Sequence, residues 1–287
     1  MRRRPRYVET ESLPEALGVL ATYGERAKLI AGGTAVSLML ESKLISPEVL
    51  ISIRRVPDLG LLSSSSEGMR IGAMVPIRRL ENSAEARQHF PALWQACASV
   101  GNVRVRNQAT LGGNLAEADY ASDPPTALMI QDAKVLVSSI EGERVIPISG
   151  FFRGFFSTAL QPTELVTQVF VPAMPQGARS IYLNYKSRSS EDRPCVGVAV
   201  MASFREGACH GLRVAVGAAC EIPQRLPELE ASAEGEMLSD RMVAEIAEGY
   251  ARQIETLDDL RGSSSYRSQM IRVHVQRAIL EVRDGSR

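Results

Sequence analysis

Hydrophobic positions along the chain alternate between helical and strand spacing. Leu13, Ala16, Leu17 and Leu20 recur on one helical face behind Ser12-Leu13-Pro14-Glu15, a capping box with proline near the first turn. Leu29-Ile30 then reads as a buried strand, Thr34 to Lys43 as a helix, and Val49 to Ile53 as a second strand. That is a small α/β unit. From Val56 a second unit begins. Leu61-Leu62 and Met69 to Met74 predict strands flanking a turn over Ser63 to Gly68, and Pro76 opens a helical region. In that region Leu93, Trp94, Cys97 and Val100 share a face that ends at Gly101, which assigns Trp94, the single tryptophan, to core packing. Val135-Leu136-Val137 and Val145-Ile146, joined through Glu141-Gly142-Glu143, predict a hairpin.

The stretch Pro172 to Gly177 is rich in proline and glycine and reads as a linker. Beyond it, Tyr182 to Tyr185, Gly197 to Phe204 and Leu212 to Ala218 predict an antiparallel sheet. Two helices close the chain, one with Val243, Ile246, Ala247 and Tyr250 on a stripe, the other with Ile271, Val275, Ala278, Ile279 and Val282. Strands followed by helices make an α+β layer. The expected division is 1–55, 56–175 and 176–287.

Composition removes several classes of function. The 287 residues carry 33 Lys plus Arg against 33 Asp plus Glu, a net charge of +0. A broad nucleic-acid footprint needs a basic excess, so nucleic acid is not an expected partner. Cys97, Cys195, Cys209 and Cys220 show no C-x-x-C spacing, and His89, His210 and His274 are equally scattered, so no metal site is expected. Buried free thiols in a reducing compartment is the plain reading. Arg2, Arg3, Arg4 and Arg6 make the start basic, but Glu9 to Glu11 follow where a signal peptide would be apolar. A solvated terminus is the plainer reading of those arginines, and contact with a partner the alternative. No run approaches the ~18 apolar residues of a membrane span. The expectation is a cytoplasmic protein.

Candidate chemistry concentrates in GNVRVRNQATLGGNLAEADYASDPP, Gly101 to Pro125. Thr110-Leu111-Gly112-Gly113-Asn114 reads as a turn whose amides form a nest for phosphate oxygens. One Gly-Gly pair alone reads more readily as a loop that simply needs a small residue. A second pair changes the picture: Ala31-Gly32-Gly33-Thr34 follows the Leu29-Ile30 strand and precedes a helix. The N–H groups of Gly32, Gly33, Thr34 and Ala35, with the positive end of that helix, suit a pyrophosphate. Neither pair is a G-x-G-x-x-G fingerprint, and no Walker lysine is present. Asp123 is an acceptor suited to a ribose hydroxyl or adenine amine, or else a cap for the Pro124-Pro125-Thr126 turn.

AGGT followed by RNQATLGGNLAEADYASDPP resembles the FAD-binding subunit of the molybdenum hydroxylases, the group of the carbon monoxide dehydrogenase medium subunit and the xanthine dehydrogenase flavin domain. Asp258-Asp259-Leu260-Arg261-Gly262 and Tyr266 resemble its C-terminal segment. The resemblance implies an α+β chain: a two-subdomain FAD-binding fold of the vanillyl-alcohol-oxidase-like (PCMH) type, then an antiparallel sheet with helices. It implies FAD contacts at Leu29, Ile30, Ala31, Gly32, Gly33, Thr34, Ala35 and Val36, at Thr110, Leu111, Gly112, Gly113 and Asn114, and at Asp123, Val166 and Lys186. Without it, Lys186 reads as a surface strand lysine. Val100 aligns more weakly.

No residue is expected to be catalytic, because the cofactor carries the chemistry. The resemblance further implies a large partner subunit with molybdopterin, a small partner with two [2Fe–2S] clusters, and a dimer of heterotrimers. Electrons would run from those clusters through FAD to an external acceptor. The chain departs from the family at Ser190 to Cys195, where Arg193-Pro194 stand in place of small apolar residues beside the isoalloxazine ring. A self-contained flavin-dependent oxidoreductase of the same fold and a non-catalytic scaffold without flavin are the alternatives.

Overall fold

The computed structural model describes residues 4–285; Arg2 and Arg3 lie outside the described residues. The first layer runs β1 (Arg6–Glu9), α1 (Leu13–Tyr23), β2 (Ala27–Ile30), α2 (Thr34–Glu41) and β3 (Val49–Ser52). Its three strands are parallel in the order β1-β3-β2, which leaves β2 at an edge. Ser12 caps α1, accepting the Glu15 N–H at 3.3 Å, and the Glu15 carboxylate reaches back to the Glu11 N–H at 2.8 Å. Strand β1 was not expected: Arg6 to Glu9 is a mostly exposed edge without an apolar alternation to announce it. Ala16, Leu17 and Leu20 pack on Val49, Ile51 and Ile53, and Leu165 joins them from far along the chain.

The second unit contains β4 (Leu62–Ser65), β5 (Gly68–Gly72), helices α3 (Ile77–Glu81), α4 (Ala84–His89), α5 (Pro91–Ser99), α6 (Val103–Gln108), α7 (Leu111–Glu117) and α8 (Asp123–Ile130). Strands β6 (Lys134–Ser139), β7 (Gly142–Pro147), β8 (Phe152–Gly154), β9 (Ser157–Thr158) and β10 (Leu165–Pro172) complete it. Five of these strands form an antiparallel sheet in the order β4-β5-β10-β6-β7. The expected turn over Ser63 to Gly68 shrinks to Ser66-Glu67, since Ser63 to Ser65 pair with Arg70 to Gly68. An exposed edge strand needs no apolar side chains, so the serine run concealed it. Leu93 and Cys97 are fully buried, whereas Trp94 is half-buried, its indole N–H donating to the Glu81 carbonyl at 2.7 Å.

The third unit is the antiparallel sheet β11 (Arg179–Tyr185), β12 (Val196–Arg205), β13 (Ala208–Gly217) and β14 (Gln224–Arg225). Short α9 (Pro227–Ala231) follows, and α10 (Asp240–Gln253) and α11 (Ser264–Asp284) cover one face. Val243, Ile246, Ala247 and Tyr250 of α10, and Ile271, Val275, Ala278 and Ile279 of α11, are buried there. The other face of the sheet receives α8, every residue of which is buried.

A charged knot ties the last two units together. Arg267, with no exposed surface, donates to the carbonyls of Cys195 (2.5 Å) and Ala218 (2.6 Å) and to Asp259 (2.5 Å). Asp259 also accepts the Tyr120 hydroxyl at 2.6 Å and the Arg261 N–H at 2.7 Å. Burial alone would raise the Asp259 carboxyl, but these donors hold it well below the usual carboxylate range. All four cysteines are free and buried. Among the described residues no group of His, Cys, Asp and Glu could hold a metal, and no helix is long and apolar enough to cross a membrane.

Candidate functional site

A cavity of about 550 Å³ opens where the three units meet, and both glycine motifs line it. Strand β2 supplies one wall. The carbonyls of Arg26 and Ile30 are taken on the β3 side, so the peptide groups of Leu29 and Ala31 face the open edge, towards the cavity. A Cβ on Gly32 would lie 1.8 Å from the Gln108 carbonyl oxygen, so only glycine lets the AGGT turn rest on the backbone of the second unit. Gly33 is the N-cap of α2 at φ 78°, in the left-handed region, and brings no side chain to cap the helix. Consequently the N–H groups of Thr34, Ala35 and Val36 have no protein acceptor among the described residues. All three residues line the cavity. Free amides at a helix N-terminus carry the positive end of its dipole.

The second motif behaves differently from its sequence reading. TLGGN is not a nest but the cap and first turn of α7: Thr110 is the N-cap, and its hydroxyl accepts the Gly113 N–H at 3.1 Å. The Leu111 and Gly112 amides donate to the carbonyls of Val75 and Ala73, both at 3.0 Å. The Asn114 N–H donates to the Thr110 carbonyl at 2.9 Å, so of this turn's amides only that of Thr110 has no protein acceptor among the described residues. Its glycines serve close approach instead. A Cβ on Gly112 would sit 2.5 Å from the Ala73 Cβ, and one on Gly113 would come 2.9 Å from the Thr110 hydroxyl and 3.5 Å from the Ala31 Cβ. The two motifs thus pack side by side in the cavity wall, and the first carries most of the free donors. Asn114 is held by the Ser122 hydroxyl, 2.9 Å from its Oδ1.

Asp123 is not the cap of its helix; Ser122 occupies that position. Its Oδ1 accepts the Tyr182 hydroxyl at 2.8 Å and the Asn184 amide at 2.7 Å, so it joins α8 to β11 while lining the cavity. Burial pushes its carboxyl up, against the hydrogen bonds from Asn184 and Tyr182. The residues expected from sequence that line the cavity are Leu29, Ala31 to Val36, Val100, Thr110, Gly112, Gly113, Asn114, Asp123 and Val166. Ile30, Leu111 and Lys186 do not. Ile30 packs beneath Gly33, Leu111 is buried in the second core, and the Lys186 ammonium donates to the carbonyls of Ser99 (2.7 Å) and Ser190 (2.8 Å).

The structure adds Lys28, Glu117 and Leu160 to the walls. Burial pushes the Glu117 carboxyl up, with Lys28 pulling it back. Glu117 was findable: it lies four residues beyond Gly113, on the same helical face, once the glycines are read as helix. Lys28 and Leu160 carry no local signal.

Residues 3–174 match the model of the FAD binding domain in molybdopterin dehydrogenase. The chain belongs to this family. Residues 181–282 match the CO dehydrogenase flavoprotein C-terminal domain. The chain is 32% identical to the glyceraldehyde dehydrogenase medium chain of Sulfolobus acidocaldarius, covering 96% of this chain and 97% of that one. It is 31% identical to subunit alpha of the 6-hydroxypseudooxynicotine dehydrogenase complex of Paenarthrobacter nicotinovorans, over 95% and 92%. A solved structure of carbon monoxide dehydrogenase from Hydrogenophaga pseudoflava superposes with a TM-score of 0.94 at 29% identity, covering 98% of each chain. The cavity's donor set fits the family's cofactor. Free amides at a glycine-capped helix suit a pyrophosphate, and the cavity of about 550 Å³ that they open into is of the size that takes a bound cofactor.

Proposed function

We propose that this chain is the FAD-binding, electron-transferring subunit of a molybdopterin-dependent hydroxylase or dehydrogenase, in the cytoplasm. The observation that carries this reading is the trio of free amides at Thr34, Ala35 and Val36, opening into a cavity that TLGGN also lines. Those amides, with Gly32 and Gly33, hold the pyrophosphate. Leu29 and Ala31 offer strand-edge peptide groups, Val166 an apolar wall, and Asp123 a carboxylate. Bound FAD supplies the redox chemistry, taking up electrons singly or in pairs.

The chain's part is to bind the cofactor, orient it and keep water from most of it. Its partners are a large molybdopterin-binding subunit and a small subunit with [2Fe–2S] clusters, in a dimer of heterotrimers, and electrons pass from those clusters through FAD to an external acceptor. The related medium chain and complex subunit support that assignment by name and by near-complete coverage.

Titrating the purified full chain with FAD and with riboflavin tests the binding half of this reading. FAD is expected to bind one per chain, at least about 100-fold tighter than riboflavin, which lacks the phosphates that the amides and helix dipole favour. Equal affinity for the two would remove the phosphate role from the AGGT turn. No binding of either would overturn the reading itself.

A further inference from the structure

Six carboxylates line the cavity, and five of them are already engaged. Asp119 pairs with Arg193 at 2.9 Å, and Asp123 accepts from Tyr182 and Asn184. Glu164 is clasped by Arg144 at 2.6 and 2.8 Å, which holds its carboxyl below the usual range. Glu191 accepts from the Asn102 amide at 3.3 Å, and Asp192 from the Arg193 N–H at 2.8 Å. Glu117 makes neither a hydrogen bond nor a salt bridge among the described residues. It is half-buried and ends α7, where the helix dipole disfavours a negative charge. Lys28 on β2 lines the same cavity, also without a hydrogen-bond partner among the described residues. For stability alone, an unpaired carboxylate in that position is a cost. Such groups concentrate where proton chemistry is needed.

The charges facing Glu117 are those of Lys28 on β2, Asp119 beyond α7 and Arg193 on the segment before β12. Burial pushes its carboxyl up, Lys28 and Arg193 pull it back, and Asp119 pushes it up further. A cofactor in the cavity displaces water from the carboxylate, and a reduced flavin adds a negative charge beside it. Both changes raise it again. Resting on the functional reading above, we propose that Glu117 takes up a proton when the bound flavin is reduced and gives it back when the flavin is reoxidised. Two electrons then enter with two protons. One proton goes to N5 of the ring and the other to the Glu117 carboxylate, which leaves the ring a monoanion. Reoxidation returns both protons to solvent as the electrons leave for the acceptor. The net charge of the cavity is the same before and after, which spares the cost of changing charge where the dielectric is low. Lys28 keeps the carboxylate ionised while the flavin is oxidised, so the proton follows the electrons.

The test is the midpoint potential of the FAD-loaded full chain, measured between about pH 7.5 and 8.5, above the ordinary carboxylate range. The unaltered chain is expected to take up two protons per electron pair, so each pH unit shifts the reduction equilibrium about 100-fold. Glu117→Gln and Glu117→Ala should take up one, a shift of about tenfold per pH unit. Glu164→Gln, which alters a cavity carboxylate already clasped by arginine, should keep two. Flavin absorbance should show FAD bound to all three. Two protons in both Glu117 variants, one proton in the unaltered chain, or loss of the second proton in Glu164→Gln as well would overturn the inference. So would loss of FAD from both Glu117 variants, since the residue would then serve binding alone. Failure of the unaltered chain to take up FAD strikes the functional reading instead.

Discussion

A Gly113→Val chain is expected to fold and to purify without flavin. The Cβ would lie 2.9 Å from the Thr110 hydroxyl and 3.5 Å from the Ala31 Cβ, and the two methyl groups beyond it would fill the gap between the two motifs. Gly113 is the third residue of α7 and is not among the residues at positive φ, so valine meets no backbone strain there. Overpacking of this kind costs about 1–3 kcal/mol, and here it falls on the bound state. At the upper end the FAD affinity drops roughly 150-fold, enough to lose flavin in purification. Gly113→Ala should fall between, since the hydroxyl it meets belongs to a rotatable side chain. Circular dichroism separates lost flavin from lost fold. Full flavin occupancy in folded Gly113→Val would contradict the placing of both motifs against one cofactor.

The largest effect on stability is expected at Asp259. Removing its carboxylate with Asp259→Ala leaves the fully buried Arg267 guanidinium without its charged partner and the Tyr120 hydroxyl without an acceptor. Breaking a buried pair in this way costs about 3–5 kcal/mol. The pH dependence has a definite sign. The folded carboxyl is held below its unfolded value of about 3.9, so its contribution is complete above that value and is lost as pH falls from about 5 towards the folded pKa. The unaltered chain should therefore lose urea stability more steeply between about pH 5 and 3 than Asp259→Asn, which has no carboxylate to protonate. Parallel acid profiles for the two would remove Asp259 from the acid response.

Much of this architecture was legible because local patterns and tertiary needs agree. The α1 face, the hairpin of β6 and β7, and the stripes of α10 and α11 carry clear periodicity, and packing used it. The AGGT turn was legible for the same reason, although the strand before it, read as buried, is a half-buried edge: a left-handed glycine after an apolar strand leaves few other structures for the backbone. What escaped was decided by partners distant in sequence. TLGGN looked like a nest because two glycines in a row point to a turn. Instead the Ala73 and Val75 carbonyls, some forty residues earlier, were waiting for its amides, and Gly112 had to be small to reach them. Asp123 read as a cap or a ligand, yet its hydrogen bonds go to Tyr182 and Asn184 in another unit. Strand β1 and the serine edge of β4 went unread because exposed edges carry no apolar alternation. Lys186 came from resemblance, and its ammonium instead donates to the carbonyls of Ser99 and Ser190.

The most direct test of this chain as an electron-transferring part, rather than a whole enzyme, is turnover by the full chain alone, loaded with FAD. Candidate substrates are N-heterocycles, aldehydes and carbon monoxide. On the proposed reading, hydroxylation with oxygen from water belongs to the molybdenum centre of the large partner subunit. The expected result is at most slow transfer between artificial donors and acceptors, with substrate oxidation appearing only when molybdopterin and iron–sulfur partner subunits are added. Brisk oxidation of any of these substrates by the chain and FAD alone would contradict the assignment and make the protein a self-sufficient flavoenzyme.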